Sequence, residues 1–412
     1  MFQYFIRFRT IENRCSILRM RRLLIAPIRR RILKMTLHLP PFLLVIIGLS
    51  IFFSIQLIFF IIVHSLIICI LDRCCMESSD IIVSLTTTAD RFHVELPLTI
   101  HSLLYQTMLP EEIRIYVGSN LKETNVTLTN LKLDLQIYDS SKSLEQRFDK
   151  LVHLYYLNED HGPAMKFLPI IEEYLFLSNK TREKGRQKIL ICDDDHYYHS
   201  RLVSTLNKYS DEFNDSIVGL RGWRGKRFVS EKCKKDERLL VSVREDLEWG
   251  VSGTEEYALH IVQSYYLSKP YRVGVLTANA GYLIRPDLFD IQIVKDFLEA
   301  PDDIRHVDDI WLNGHASKRH VPRYVVPSCS FHIHLTRTHT LQMYLSRNRM
   351  SRKSANEHAL KSFEDVWEKD LWYKFRGVNG PQYRWWWTTI DRKWISIIQK
   401  LKFIRRFGFF DS

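Results

Sequence analysis

The sequence predicts an α/β protein with a mostly parallel central sheet, helices on both faces of that sheet, and one preceding transmembrane helix. Two patterns carry this prediction. After residue 80, short apolar strand-like runs alternate with segments of helical spacing, which is typical of a layered sheet with crossover helices. Residues 41–71 contain no charged side chain, and about 20 apolar residues are enough to span a bilayer as a helix.

The residues before the apolar segment predict its orientation in the membrane. Residues 1–40 contain ten Lys or Arg residues and a single acid, Glu12. Basic flanks stay on the cytosolic side of a membrane, so we expect a cytosolic N-terminus and a lumenal or extracellular remainder. This arrangement is a single-pass type II anchor.

The distribution of charge argues against a nucleic-acid partner. The formal net charge is +12, of which residues 1–40 supply +9, so the remaining chain carries only +3. A nucleic-acid-binding domain needs a basic surface of its own, and the folded part of this chain has no such excess. We therefore expect the membrane, but no nucleic acid, among its partners.

The predicted elements follow one another in a strand-and-helix order. Leu96, Ile100 and Leu103 recur at helical spacing, and Pro163 suits the first turn of a helix, where its missing N–H costs nothing. The predicted strands are 80–85, 113–117, 131–138, 188–192, 216–220 and 323–327. The predicted helices are 95–106, 143–157, 163–177, 199–209, one beginning at Pro286 and one around 308–316. Residues 224–270 are less regular, and we interpret them as an insertion that carries substrate selectivity.

The same patterns predict how the chain is divided. The predicted parts are a basic cytosolic tail (1–40), a transmembrane helix (41–71), a short stem (72–79), a catalytic domain (80–335) and a helical, basic and aromatic C-terminal extension (336–412).

The feature that points most directly to chemistry is an apolar strand that ends in Asp193, Asp194 and Asp195. Open α/β sheets bind ligands outside the carboxyl ends of their strands. Adjacent carboxylates resist joint ionisation unless a cation holds them, and Mg²⁺ or Mn²⁺ shared with substrate phosphates is the usual solution. A solvated acidic turn is the alternative interpretation.

Four further groups are candidates for the same site. Asp308 and Asp309 begin an apolar helical pattern, so either one is a candidate general base, while Asp308 is also a candidate helix cap. Lys166 lies one turn into a predicted helix and is a candidate for binding a diphosphate, or a solvated lysine. Gly281, among small residues, would allow close approach of a ligand, or serve a tight turn. His332 and His334 alternate on a strand, and one of them is a candidate metal ligand.

These motifs together resemble GT-A-fold glycosyltransferases of a family-2-like branch. The resemblance rests on the series SLTTTADR, SLLYQT, HGPAMKFLP, ICDDDHYYH, RGWR, TANAGYLIR and VDDIWLNGHA, in this order across about residues 80–335. It implies a Rossmann-like fold and a nucleotide-sugar donor. The residues that it implies for binding the nucleotide are Thr86, Thr87 and Arg91, and Lys166, Asp193, Asp194 and Gly281 are further candidates for binding the nucleotide-sugar. The metal ligands implied are Asp193 and Asp195, with His332 as a candidate third ligand, and Asp309 or Asp308 would meet the acceptor hydroxyl.

The function expected from the resemblance is sugar transfer from a nucleotide-diphosphate donor to a glycan, glycolipid or protein acceptor, with Mn²⁺ or Mg²⁺ as cofactor. The Golgi membrane, with the catalytic domain in the lumen, is the expected location. Two alternatives remain open at this stage: a catalytically silent carbohydrate-binding or scaffold protein of the same fold, and a metal-dependent phosphotransferase.

Overall fold

The computed structural model describes residues 77–119, 121, 126–178, 186–225, 259–328, 332–335 and 352–369, together with Ser50 and Gln56. The predicted membrane segment at 41–71 lies outside these residues apart from Ser50 and Gln56, as do the predicted cytosolic tail and most of the C-terminal extension. None of the helices in the described ranges combines the length and apolarity needed to cross a bilayer.

The strands number fifteen among the described residues. In chain order they are β1 (Glu77–Ser78), β2 (Ile82–Thr86), β3 (Met108–Leu109), β4 (Glu112–Gly118), β5 (Val152–Leu157), β6 (Ile189–Ile191), β7 (His196–Tyr197), β8 (Ile217–Gly219), β9 (Arg221–Gly225), β10 (Leu259–Gln263), β11 (Tyr271–Arg272), β12 (Val275–Leu276), β13 (Tyr282–Ile284), β14 (Arg323–Val325) and β15 (Ile333–His334).

The helices of the described ranges are α1 (Ala89–Phe92), α2 (Glu95–Leu104), α3 (Leu128–Tyr138), α4 (Lys142–Leu151), α5 (Leu168–Ser178), α6 (Leu202–Glu212), α7 (Gln292–Glu299), α8 (Asp302–Arg305), α9 (Asp308–Lys318), α10 (Arg352–Lys361) and α11 (Glu364–Lys369). Short 3-10 helices cover Gly162–Lys166, Ser264–Tyr266, Ala278–Ala280 and Pro286–Leu288.

The central sheet has eight strands in the order β11-β14-β8-β13-β6-β2-β4-β5. The pairs β14–β8, β6–β2, β2–β4 and β4–β5 are parallel, while β13 runs antiparallel to both β6 and β8 and β11 runs antiparallel to β14. This mixed α/β architecture with a mostly parallel central sheet confirms the coarse fold class predicted from the sequence.

Helices cover both faces of the sheet because its central strands are apolar on both sides. On β6, Leu190 belongs to one buried apolar cluster with residues of α2, α3, α4 and α6, whereas Ile189 and Ile191 belong to a second cluster with residues of α5, α7, α9, α10 and α11. Alternate side chains of a strand point to opposite faces, so a strand buried on both sides reads as a continuous apolar run. This is why the strand pattern at 188–192 was visible in the sequence.

The order of the first strands determines where a ligand can bind. From β2 the chain adds β4 and β5 on one side and then returns to add β6 on the other. The connections therefore leave β2 and β6 in opposite directions, which defines a topological switch point with a crevice at the carboxyl ends of the two strands. The residues that follow β2 and β6 form the candidate site.

Two predicted elements were wrong in type. Residues 131–138, predicted as a strand, belong to helix α3. The hydroxyl of Thr127 accepts a hydrogen bond from the amide of Asn130 and caps this helix. Leu131 and Leu135 are buried one turn apart, whereas Leu133 and Ile137 are exposed. Exposed apolar residues therefore produced an alternation that resembles a strand.

The predicted helix at 143–157 was wrong in its second half. Helix α4 ends at Leu151, and the chain turns directly into β5 at Val152, whose backbone is extended. Strand β5 pairs in parallel with β4 through six residues, and this tertiary pairing overrides the local helical spacing.

Candidate functional site

The acidic turn after β6 is fixed by its backbone. The amide of Cys192 donates a hydrogen bond to the carbonyl of Ser84 and so extends the pairing of β6 with β2. The amide of Asp193 donates to the hydroxyl of Tyr198 at 2.9 Å, and the hydroxyl of Thr99 donates to the carbonyl of Asp194 at 2.7 Å. These hydrogen bonds hold the backbone at Cys192, Asp193 and Asp194. The three aspartate side chains therefore leave the turn in fixed directions and meet different partners.

Asp193 is paired with a buried lysine. The ammonium nitrogen of Lys166 lies 2.5 Å from an oxygen of Asp193 and 2.7 Å from an oxygen of Asp308. The Lys166 side chain is 4% exposed. Burial lowers the pKa of a lysine, but the carboxylates of Asp193 and Asp308 outweigh this effect and hold the pKa of Lys166 well above its ordinary value. Lys166 therefore carries its charge and joins two acidic segments.

Asp194 is buried against Arg91, which α1 places beside the turn. The guanidinium of Arg91 donates to one oxygen of Asp194 at 2.7 Å and lies 3.4 Å from an oxygen of Asp195. Burial raises the pKa of Asp194 although Arg91 opposes the shift. Because Asp194 is almost inaccessible, it acts as a structural partner of Arg91 rather than a group that faces solvent.

Asp195 lies within a group of two histidines. The Nδ1 atom of His196 is 2.6 Å from one Asp195 oxygen, and the Nε2 atom of His334 is 3.5 Å from the other. Burial favours the neutral form of Asp195, but His196, His334 and Arg91 outweigh it and hold the pKa of Asp195 well below its ordinary value. Potential ligand atoms of Asp195, His196 and His334 all lie within 4.8 Å of one another, so these three residues can hold a metal ion.

A two-stranded sheet brings His334 to this position. In the antiparallel pair β7–β15, His334 is directly opposite His196, and Ile333 is opposite Tyr197. The amide of Leu335 donates to the carbonyl of Asp195 at 2.8 Å and continues the pairing. His332, predicted as a metal ligand, lies beside the group with its ring centroid 5.2 Å from that of His196. His332 is outside the set of three, and its role as a ligand stays a prediction.

The second acidic segment begins helix α9. Asp308 is the first helical residue, so it does not occupy the cap position itself. The Asp309 carboxylate accepts a hydrogen bond from the amide of Ala278 at 3.2 Å and is partly exposed. Burial and the like charge of Asp308 hold the pKa of Asp309 well above its ordinary value. A carboxylate with a raised pKa is a stronger proton acceptor than an ordinary one.

Helix α9 is anchored to strand β12 through Asn313. The side-chain amide of Asn313 donates to the carbonyls of Leu276 and Asp309, and its oxygen accepts from the amide of Leu276. Asn313 is fully buried, and all of its hydrogen-bonding partners are backbone groups. This anchor fixes the rotation of α9 and thereby the direction of Asp309.

The segment that contains Gly281 adopts a 3-10 turn over Ala278–Ala280. Gly281 has φ +81°, a backbone conformation that glycine adopts without strain, and a Cβ atom there would lie 3.0 Å from Leu202. Next to it, Arg221 donates to the Thr277 hydroxyl at 3.0 Å and to the Asn279 amide oxygen at 3.3 Å. Gly281 thus serves the turn, and Arg221 adds a cation to the same edge.

The threonines predicted to meet a nucleotide lie at the carboxyl end of β2. The hydroxyl of Thr86 donates to the carbonyl of Tyr116 on the neighbouring strand at 2.7 Å. Thr87 is buried, and Thr88 precedes the first residue of α1. The structure therefore brings Thr86, Thr87 and Arg91 next to the acidic turn, as the strand order requires.

Two residues of this edge, His196 and Arg221, were missing from the predicted site residues. His196 directly follows the three aspartates, and that adjacency was the signal that could have found it. Arg221 stands in the RGWR segment, but no local pattern indicates that it contacts Thr277.

No protein-family model matches the chain, and no curated protein matches it in sequence.

Proposed function

We propose that this chain is a metal-dependent glycosyltransferase of GT-A type that moves a sugar from a nucleotide-diphosphate donor to an acceptor hydroxyl. One observation carries the proposal. The acidic turn after β6 and the acidic start of α9 meet at a single buried lysine, Lys166, beside the switch point of the sheet. Sugar transfer needs two acidic groups side by side. One holds the cation that binds the donor diphosphate, and the other accepts the proton of the acceptor hydroxyl.

The donor half of the proposed site is the edge formed by β2, α1 and the turn after β6. Thr86, Thr87 and Arg91 lie at the end of β2, where a nucleotide would be held. Asp195 has two imidazoles beside it, and this donor set fits a divalent cation. A bound cation would neutralise the diphosphate that leaves with the bonding electron pair.

The acceptor half is the start of α9. As the acceptor oxygen forms its bond to the sugar carbon, the bond from that carbon to the diphosphate oxygen breaks, and the hydroxyl proton must be removed. We assign this proton to Asp309, because it is partly exposed and lies at the start of α9. Asp308 is held by Lys166 in an ion pair, so we assign it a positioning role.

The location is proposed from the sequence. The charge-free segment 41–71 and the basic residues before it favour a type II anchor with residues 77–369 on the lumenal side. Nucleotide-sugar donors and glycan, glycolipid or protein acceptors meet in the Golgi lumen, which makes the Golgi membrane the proposed compartment.

The proposal is tested by nucleotide binding to the full-length chain in detergent. Thermal unfolding is measured with a panel of nucleoside diphosphates and nucleotide-sugars, each with Mn²⁺ and with a chelator. Stabilisation by one nucleotide class that requires the metal is the expected result, since a ligand that binds only the folded state raises its stability. An Arg91→Met variant should lose much of this shift, whereas Arg186→Met, on an exposed residue, should keep it.

Other outcomes would redirect the proposal. A folded chain that no nucleotide stabilises would favour the silent carbohydrate-binding or scaffold protein. Stabilisation by a phosphorylated compound without a sugar, with transfer of its phosphoryl group, would favour the phosphotransferase.

A further inference from the structure

We infer that the cation of this site is held by Asp195, His196 and His334, that Asp193 does not ligate it, and that the site prefers a first-row transition metal to Mg²⁺. This inference rests on the proposed function only in that it names the cation class of the same site. The binding of the cation itself is measured without any nucleotide.

The first step is the position of the two imidazoles. The register of β7 and β15 puts His196 and His334 directly opposite each other, and side chains at such positions lie on the same face of the strand pair. Their ring centroids are 4.8 Å apart.

The second step is the availability of the carboxylates. Asp193 is 2.5 Å from the ammonium of Lys166, a buried cation that would have to be displaced before a metal ion could use that oxygen. Asp194 is bound to Arg91 and is buried. Of the three aspartates, only Asp195 faces the histidines, at 2.6 Å from His196 and 3.5 Å from His334.

The third step is the chemistry of the donor set. Mg²⁺ prefers an all-oxygen octahedral shell, whereas imidazole nitrogen binds Co²⁺, Zn²⁺ and the other later first-row ions more strongly. One carboxylate with two imidazoles is therefore a poor site for Mg²⁺. With three protein ligands, a bound cation would keep further coordination positions for a substrate diphosphate.

The experiment is calorimetric titration of the full-length chain with Co²⁺, Mn²⁺ and Mg²⁺, supported by the visible absorption of bound Co²⁺. Binding of Co²⁺ should be at least about tenfold tighter than binding of Mg²⁺. His334→Ala should weaken Co²⁺ binding by about 10–100-fold and reduce its absorption. Asp193→Asn should leave Co²⁺ affinity within about threefold, because that side chain already has a cation as its partner.

Two controls complete the design. His93 also pairs with a carboxylate, at 2.6 Å from Asp134, but is outside the proposed ligand set, so His93→Ala should bind Co²⁺ like the unaltered chain. His334 is about half-exposed, so its truncation leaves no buried cavity, and an unchanged unfolding midpoint without metal verifies this. His334→Gln provides a second variant of similar size.

The inference is overturned if Mg²⁺ binds as tightly as Co²⁺, or if Asp193→Asn abolishes binding while His334→Ala retains it. If no nucleotide stabilises the chain but Co²⁺ binds as expected, the proposed function is contradicted and the cation site is supported. If a nucleotide stabilises the chain but Co²⁺ does not bind as expected, this ligand set is contradicted and the proposed function is supported.

Discussion

The ammonium nitrogen of Lys166 lies 2.7 Å from a carboxylate oxygen of Asp308, and this ion pair joins the segment before α5 to the start of α9. The same nitrogen contacts Asp193 after β6. One buried ammonium group therefore fixes the relative positions of the segment before α5, the turn after β6 and the start of α9. The site is thus positioned by ion pairs as well as by apolar packing. The stability of the fold and the geometry of the site both depend on Lys166.

Replacement of Lys166 is expected to destabilise the fold. Lys166→Met leaves Asp193 and Asp308 without their buried partner, and removal of one member of a buried ion pair typically lowers the free energy of unfolding by about 3–5 kcal/mol. Urea unfolding of the variant measures this change. The double variant Lys166→Met with Asp308→Asn should recover part of the loss, and equal stability of single and double variants would contradict the account.

Replacement of the proposed base should reduce turnover and leave the fold intact. Asp309→Asn is expected to lower kcat by about 10²–10⁴-fold, the usual contribution of a positioned proton acceptor, with little change in donor KM. Asp302→Asn is the matched control because its side chain is 89% exposed on the preceding helix α8. Full activity of Asp309→Asn would assign the proton to another group.

The contact between α9 and the segment after α10 depends on a glycine. A Cβ atom on Gly314 would lie 2.5 Å from the ring of Phe363, which is buried. Gly314→Ala gains about 1 kcal/mol in helix propensity, but overpacking against a ring costs about 1–3 kcal/mol, so we expect a net loss of stability. Phe363→Leu in the same chain should reduce the loss, and a more stable Gly314→Ala chain would refute the prediction.

Stability should fall as the pH falls below about 6.5 because of His315. Burial, reinforced by the charge of Lys318, lowers the pKa of His315 to about 3. The unfolded chain binds a proton at His315 near pH 6.5 and the folded chain does not, so the penalty grows from that pH downward and is complete below about pH 3.

The measurement is the free energy of unfolding at several pH values between 4 and 7, compared with that of His315→Gln. The variant should show a shallower decline with falling pH, whatever its absolute stability. Parallel curves for the two chains would mean that His315 does not contribute to the acid sensitivity.

The fold class was predictable because strands buried on both faces leave a strong pattern. The run before Asp193 is apolar at every position, and this marked both the strand β6 and the acidic turn. Helix α3 was mistaken for a strand because the sequence does not show that Leu133 and Ile137 face solvent. These two and the buried Leu131 and Leu135 alternate with polar residues as one set, and a helix divides that set between its buried and exposed sides.

The candidate site was predictable in its acids and less so in its cations. Asp193–Asp195 and the Asp308–Asp309 pair follow local patterns, a strand end and a helix start. The partners of Lys166, by contrast, depend on the packing of three elements, and no sequence spacing encodes this. His334 joined the group through a strand pair of two residues, which is too short to be recognised by periodicity.

The pairing of β15 with β7 also has a consequence for biosynthesis. His334 is translated long after Asp195 and His196, and domains generally fold as units while the chain emerges. A nascent chain that ends before residue 332 can form the β2–β6 edge but lacks the strand that completes the proposed cation site. Capture of the ion at the proposed site would then require a chain translated through residue 334, and products truncated before residue 332 would leave the ribosome without the complete ligand set.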